Sequence, residues 1–317
     1  MNFSIDVLRN EEKALYSLRQ LYMQHGYARY KVSKFEEYDL YAGNKSFLIS
    51  ENILTFTDTN GKLMALKPDV TLSIVKNVRS DVTDTHKVYY NENVYRTSGG
   101  TDGFREIMQT GLEYIGRVDD AAVGEVLTLA QKSLAMISDD YILDLSHMGF
   151  VTGLLEVAGV NEEDEARLLS LVESKNVSAI RSLCAEYGVS EAHTDALCEI
   201  TSLYEPLKTA LPKIRGFVSG EKMQEAYAQL CALAEILERD GDPSRLYLDF
   251  SIVNDMNYYD GIIFRGFING IPDGILSGGR YDKLLSRMGK RSGAIGFAVY
   301  LDMLERLEIA AAGEREE

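Results

Sequence analysis

The chain has 317 residues, of which 45% are hydrophobic and 26% charged, as expected for a folded protein with one large domain or two ordinary ones. No apolar run approaches the roughly 20 residues of a membrane span, and the polar start MNFSIDVLRNEEK is unlike a signal peptide, so we expect a cytoplasmic protein. The net charge of −16 disfavours DNA or tRNA as a partner, because affinity for nucleic acids comes mainly from lysine and arginine.

The N-terminal part predicts helices and strands in alternation. Residues 8–25 place Leu15, Leu18 and Leu21 on one helical stripe that ends at Gly26. A strand and a short helical turn follow over 27–41. Two apolar runs joined by Asn60-Gly61 then predict a β-hairpin. Next come a helix from about residue 69, strands at 87–96 and 105–117 around a glycine-rich turn at 97–103, a helix at 119–138 and a strand at 141–146.

The residue pattern changes between about residues 161 and 242, where three long stretches have helical periodicity with polar turns between them. Strand patterns return at 245–253, 261–268 and 274–280, and a helix is predicted from about Ala298 to Ala312. Strands therefore bracket the helical block. We predict an α+β fold, in which an antiparallel sheet flanked by helices (residues 1–160 and 243–317) is interrupted by an all-helical insertion (161–242).

Several common catalytic signatures are missing from the sequence. It contains no phosphate loop, no GxGxxG motif, no HExxH motif and no nucleophile elbow, and it suggests no cofactor. Three widely spaced cysteines (Cys184, Cys198, Cys231) predict reduced thiols. The four histidines have no metal-ligand spacing, so we expect no metal site; His147, at a predicted strand end, is the one to follow.

Three stretches are candidates for a polar site. Asp69 and Thr71 start a predicted helix, where they either cap the helix or point into a pocket that holds an ammonium group. Arg105, Gln109 and Glu113 share strand parity and should face one side of the sheet. The third stretch runs from NDMNYYDGIIFRGF at 254–267 to SGGRYDKLL at 277–285. Taken singly, each is explained as well by a structural role.

Together, these stretches resemble the catalytic core of histidyl-tRNA synthetase, a class II aminoacyl-tRNA synthetase. Residues 92–116 resemble its motif 2, residues 254–267 its "RGLDYY" histidine-binding segment, and residues 278–301 its "GGRYDGL" segment and motif 3. The resemblance covers nearly the whole chain. It implies an amino-acid pocket formed by six residues: Asp69, Thr71, Gln109, Glu113, Tyr258 and Tyr259. Asp69 stands where the synthetases have a glutamate.

The same resemblance implies that the half of the site that activates ATP is degenerate. The family's "RGLDYY" arginine and aspartate fall on Asn254 and Asn257, and its motif 3 arginine on Met303. Ser98 replaces the motif 2 glutamate. Only Arg96 and Arg105 persist. Adenylate formation needs cations where charge develops, and each lost contact typically costs about 10²–10³ in rate.

This combination resembles the non-catalytic paralogue of the synthetase, the regulatory subunit of ATP phosphoribosyltransferase. The chain also ends near motif 3, where a synthetase continues into an anticodon-binding domain. The resemblance implies a dimer that assembles with the short catalytic phosphoribosyltransferase subunit into a hetero-octamer under feedback inhibition by histidine. Histidine would bind either in the pocket that corresponds to the amino-acid pocket of the synthetase or at the subunit interface. Two alternatives stay open: a ligase that forms a histidine adenylate for a non-tRNA acceptor, and a free-standing amino-acid sensor.

Overall fold

The computed structural model describes residues 7–48, 52–78, 84–97, 103–253 and 258–304. A large mixed sheet carries the fold, and helices cover it. The strands are β1 (Ala28–Arg29), β2 (Phe35–Glu37), β3 (Thr55–Thr57), β4 (Leu63–Leu66), β5 (His86–Thr97), β6 (Phe104–Gly116), β7 (Tyr141–His147), β8 (Glu205–Pro206), β9 (Leu246–Leu248), β10 (Ile262–Ile268), β11 (Leu276–Arg280) and β12 (Gly293–Tyr300).

The helices of the described residues lie mainly between the strands in sequence. They are α1 (Asn10–Gln24), α2 (Tyr38–Ala42), α3 (Thr71–Asn77), α4 (Asp120–Ala135), α5 (Met148–Val157), α6 (Glu162–Glu173), α7 (Val177–Glu186), α8 (Glu191–Ser202), α9 (Leu207–Ile214), α10 (Gly220–Asp240) and α11 (Asp282–Arg287). None of these helices is both long and apolar enough to cross a membrane.

Nine strands form the large sheet in the order β1-β5-β6-β12-β11-β10-β7-β9-β8, and β2, β4 and β3 form a small separate sheet. The strands from β5 to β7 in this order pair antiparallel, as predicted. The pairings β1–β5 and β7–β9 are parallel, so the sheet is mixed at its two ends. The α+β prediction is confirmed with this addition.

The two faces of the large sheet serve different purposes. On one face, apolar side chains such as Leu112 and Phe297 pack with α1, α4, α5 and α10 in the main core. The alternate residues, such as Glu113, point to the opposite face. There a second core, with Val75 of α3 and Leu284 of α11, leaves space for a pocket. Strand alternation thus separates a packed face from a face that carries polar groups.

Two local predictions from the first 70 residues are confirmed. Helix α1 buries Leu18 and Leu21, and the chain leaves it through Gly26 in the left-handed region, with φ of 81°. Strands β3 and β4 form the predicted hairpin. Its loop spans residues 58–62, and the side chain of Asp58 accepts hydrogen bonds from the backbone of Asn60 and Lys62. The loop is thus longer than a two-residue turn.

The predicted helix from Ala298 is wrong at its start. Residues 293–300 form β12, which pairs with β6 and β11 in the middle of the sheet, and a short 3₁₀ turn follows at 301–303. Residues 305–312 of that prediction lie outside the described residues. A central strand is covered on both faces, so most of β12 is buried and it lacks the polar–apolar alternation that marks an exposed strand.

The predicted insertion at 161–242 contains helices α6 to α10, as expected, and also β8, which pairs with β9 at the edge of the large sheet. The main core runs without interruption from the sheet into these helices. The division of the chain into a sheet domain and an insertion therefore stays a prediction.

Candidate functional site

A pocket opens over the centre of the sheet, where β6, β12 and β11 lie side by side. It encloses about 480 Å³, counting its open mouth. The start of α3 and the segment that begins at Tyr258 form its other walls. The lining residues are Asp69, Val70, Thr71, Tyr90, Arg96, Gln109, Glu113, Tyr258, Tyr259, Ser277, Tyr281, Gly296, Phe297, Ala298 and Tyr300.

Glu113 lies at the base of this pocket and is 2% exposed. The hydroxyl of Thr71 donates to its Oε1 at 2.6 Å, and the hydroxyl of Tyr281 donates to its Oε2 at 2.5 Å. Gly296 lies directly opposite on β12, and a Cβ atom there would sit 1.8 Å from Oε2 of Glu113. The glycine therefore leaves the room that the carboxyl occupies.

Burial raises the pKa of Glu113 to about 8. The hydrogen bonds from Thr71 and Tyr281 favour the ionised carboxylate and lower the pKa, but they offset only part of the effect of burial, and the nearby charge of Asp69 raises it further. At neutral pH the carboxyl is therefore mostly protonated. A cation entering the pocket would favour its ionised form.

The two roles predicted for Asp69, helix cap and pocket wall, are compatible. Its Oδ1 accepts a hydrogen bond from the backbone N–H of Leu72 at 2.7 Å, which satisfies a free donor at the start of α3. The same carboxyl lines the pocket. Burial raises its pKa, and the Leu72 hydrogen bond and the charge of Arg96 act in the opposite direction. Two buried carboxyls, Asp69 and Glu113, thus face one small space.

Gln109 is 2% exposed and lines the pocket beside Glu113. Its Nε2 atom is buried and has no hydrogen-bond partner among the described residues. Buried amide groups are normally paired, so this unpaired donor is suited to the acceptor of a ligand. The shared parity of Gln109 and Glu113 on β6 is confirmed by their common position in the pocket wall.

Tyr258 and Tyr259 pack edge to face in the pocket wall above the sheet, with ring centroids 4.7 Å apart. Tyr258 is 8% exposed and also contacts Tyr281, at 5.6 Å between centroids. A Cβ on Gly279 would lie 2.5 Å from the ring of Tyr259. Gly279 of the SGGR stretch thus lets an aromatic wall lie directly on β11.

Only one of the other predicted site residues, Arg96, is described as part of the pocket wall. Arg96 lines the pocket, and its Nε donates to the carbonyl of Pro68 at 2.8 Å. Arg105 is exposed on β6 and is not among the residues that line this pocket, so its assignment to a phosphate site stays a prediction. Met303 packs against the main core. Ser98, Asn254 and Asn257 lie outside the described residues.

Sequence reasoning missed eight lining residues: Val70, Tyr90, Ser277, Tyr281, Gly296, Phe297, Ala298 and Tyr300. Tyr281 directly follows the glycine pair and arginine of the SGGR stretch, so its position was a usable signal. Gly296 becomes meaningful only through its register with Glu113, which the sequence does not reveal.

His147 has a structural role. It is 7% exposed, its Nδ1 accepts a hydrogen bond from the backbone of Gly149, and its Nε2 lies 3.0 Å from Oε1 of Gln229. Burial lowers its pKa to about 4, so the ring is neutral at physiological pH. The three cysteines are free, as predicted. No cluster of potential metal ligands occurs in the part of the chain that the structure describes.

Comparison with known proteins gives the class of this fold and site. The family model for histidyl-tRNA synthetase matches residues 6–304. A structure described as an ATP phosphoribosyltransferase regulatory subunit/histidyl-tRNA synthetase from Bacillus halodurans superposes with a TM-score of 0.85 at 27% identity and covers 97% of this chain and 81% of that chain. The ATP phosphoribosyl transferase (HisG:HisZ) complex from Thermotoga maritima gives 0.72 at 18% identity, with 92% of this chain and 97% of that chain covered. The fold is that of histidyl-tRNA synthetase.

Sequence relatives narrow the class. The ATP phosphoribosyltransferase regulatory subunit of Clostridium kluyveri is 30% identical over 292 residues, which are 90% of this chain and 74% of the relative. That of Oceanobacillus iheyensis is 28% identical over 306 residues, 96% of this chain and 75% of the relative. The chain belongs to the histidyl-tRNA synthetase family, within the group of ATP phosphoribosyltransferase regulatory subunits.

Proposed function

We propose that this protein is the regulatory subunit of ATP phosphoribosyltransferase, required for activity and for histidine feedback control of the first step of histidine biosynthesis. The observation that carries the proposal is the 30% identity to a protein of that name over 90% of the chain. The structural likeness to the Bacillus halodurans protein along 97% of the chain supports it.

The pocket supports histidine as the regulatory ligand. An α-amino acid presents an ammonium group and a carboxylate, and histidine adds an imidazole. The carboxyls of Asp69 and Glu113 suit the cationic groups, and the free Nε2 of Gln109 suits an acceptor. Tyr258, Tyr259 and the Thr71 hydroxyl complete the proposed pocket. The subunit interface stays the alternative position for histidine.

The absence of aminoacylation activity belongs to the proposal as well. Among the described lining residues Arg96 is the one cationic side chain, and its Nε is already bonded to Pro68. The motif 3 position carries Met303, an apolar side chain packed on the core. Phosphate activation relies on cations placed where charge develops, and each missing one typically costs about 10²–10³ in rate. These features support a binding pocket without ATP chemistry.

The proposed partner is the short catalytic phosphoribosyltransferase subunit. We expect the regulatory chain to form dimers that join this subunit in a cytoplasmic hetero-octamer of four chains of each kind. Histidine can regulate the complex only if it binds two states of the assembly with different affinity, and a coupling free energy of ~1–3 kcal/mol is typical.

Two measurements separate this proposal from its alternatives. Native mass spectrometry of the protein mixed with the short catalytic subunit should show a mixed complex, and the protein alone should catalyse no histidine-dependent ATP–pyrophosphate exchange. Clear exchange would favour the ligase, whose one structural support is Arg96 in the pocket wall. If the mixture shows no complex and the protein catalyses no exchange, the free-standing sensor is favoured.

A further inference from the structure

Two buried carboxyls lie together towards the β8 end of the large sheet. Asp144 on β7 is 5% exposed, and Asp249, one residue after β9, is 7% exposed. The backbone N–H of Asp249 donates to the carbonyl of Leu145 at 2.8 Å, which fixes it beside β7. In the sheet, Asp144 has Arg265 of β10 on one side and Tyr247 of β9 on the other.

The helical segment reaches these carboxyls with two side chains. Nζ of Lys175, from the α6–α7 connection, lies 2.9 Å from Oδ2 of Asp249. The hydroxyl of Tyr204, just after α8, donates to Oδ1 of Asp144 at 3.3 Å. Lys175 also lies over the ring of Tyr204, at 5.4 Å from its centroid, and that ring stacks on Tyr247 at 5.1 Å. Two loops of the helical segment thus converge on the carboxyl pair.

The backbone of Lys175 points to a specific use for this side chain. Lys175 occupies the position after the C-cap of α6 with φ of 50°, the left-handed conformation that favours glycine. Helices α5, α7 and α11 end at the same position with Gly159, Gly188 and Gly289. Lysine is unfavourable there, and departures from local preference concentrate where a side chain is needed. Lysine at this position is explained by the ion pair that its side chain forms with Asp249.

Helix α7 packs against both α6 and α8, and α8 contacts α5. A cleft of about 950 Å³, counting its open side, lies between α7 and α8 on one side and α9 on the other, and Tyr204 forms part of its wall. Packing is therefore incomplete beside Tyr204, where α7 and α8 face α9. Polar contacts contribute more to holding an element in place where apolar packing is incomplete.

We propose that Lys175, Tyr204, Asp144 and Asp249 form a proton-linked latch that fastens α6–α8 to the sheet and loosens when Asp144 loses its proton. Lys175 already pairs with Asp249, so a second negative charge on the neighbouring buried Asp144 is unfavourable. Arg265 on the neighbouring strand acts on Asp144 in the same direction as Lys175, but more weakly. The inference does not depend on the proposed function.

The electrostatics of Asp144 place this change near neutral pH. Burial, and then the charge of Asp249, raise the pKa of Asp144 to about 7, while Tyr204, Lys175 and Arg265 lower it by less. When the latch opens, water restores the ordinary value of 3.8. Between these two values the closed state holds the extra proton, so each added pH unit favours opening by up to about tenfold. Above about pH 7 the dependence ends.

Amide hydrogen exchange followed by mass spectrometry tests the latch on the full chain. Between about pH 5 and pH 7, we expect protection of peptides from 162–202, corrected for intrinsic exchange rates, to fall by up to about 100-fold. Asp144→Asn should reduce this change to less than about threefold. The control Asp195→Asn, in an exposed ion pair with Arg181, should retain the wild-type change. No change in the wild type, or an equal change in Asp144→Asn, would overturn the latch.

Tyr204→Phe keeps the test decisive if Asp144→Asn does not fold. It removes only the hydroxyl that donates to Asp144, a hydrogen bond that lowers the pKa of that carboxyl. The pH at which protection of 162–202 stops falling should therefore move upward in this variant. An unchanged midpoint would contradict the assignment of the proton to Asp144.

Discussion

The substitution Glu113→Gln removes a buried carboxyl while keeping the side chain's size and its contacts with Thr71 and Tyr281. One of the two hydroxyls still donates to the amide oxygen, and the other can turn to accept from the amide NH2 group. In the wild type, the folded state keeps the proton of Glu113 up to about pH 8, whereas the unfolded chain loses it near pH 4.5. Between these values the folded state binds one more proton. The contribution of Glu113 to stability is therefore largest in acid and is lost as the pH rises to about 8.

The size of this effect follows from linkage. One extra proton in the folded state changes the free energy of unfolding by ~1.4 kcal/mol per pH unit. Over the whole window the loss is on the order of 5 kcal/mol, a large part of the ~5–15 kcal/mol by which typical domains are stable. The variant carries no titrating group at this position. Contributions from groups away from the pocket, such as Asp144, are common to both proteins and cancel in the difference.

Urea unfolding at a series of pH values measures this difference. The free energy of unfolding of the wild type minus that of the variant should fall by ~1.4 kcal/mol per pH unit between about pH 4.5 and pH 8 and level off outside this range. Glu156→Gln is the control, because the side chain of Glu156 is 71% exposed and its replacement should give a difference without that slope. A wild-type minus Glu113→Gln difference that is constant with pH would refute the reasoning.

Three further predictions concern the pocket. Gly296→Ala should destabilise the protein by ~1–3 kcal/mol and abolish histidine binding, since the new Cβ would meet the Glu113 carboxyl. Thermal unfolding measures the loss of stability, and calorimetry measures histidine binding. The control Gly216→Ala, where nothing lies within 4 Å of the new Cβ, should change neither stability nor binding. The double change Gln109→Ala with Glu113→Ala should weaken histidine binding in calorimetry, whereas unchanged affinity would place histidine at the subunit interface. Asn254→Arg alone should restore no histidyl-tRNA formation, because the motif 3 position still carries methionine; charging above background would contradict this.

The parts of the fold that were predictable from sequence are those whose pattern is local. The stripe of α1 and the hairpin around Asn60-Gly61 follow from periodicity and turn chemistry within a few residues. The common face of Gln109 and Glu113 follows from strand parity alone. Local pattern is therefore sufficient to predict one wall of the pocket.

The rest depends on contacts between distant segments. Strand β12 is buried in the middle of the sheet, so its sequence GAIGFAVY lacks the alternation of a half-exposed strand, and the pattern predicts a helix that begins inside it. The need for Gly296 arises from its register with Glu113, 183 positions away in sequence. Arg105 shares the parity of Glu113, yet it lies far enough along β6 to be exposed beyond the pocket. Parity fixes the face of a strand but not the extent of a site.

The rate of phosphoribosyl-ATP formation by the short catalytic subunit of the same organism, measured with and without this protein over a range of histidine concentrations, tests the central claim most directly. The proposed function predicts that the rate rises when the protein is added and falls again as histidine is increased. A rate that does not respond to the protein at any histidine concentration would contradict it.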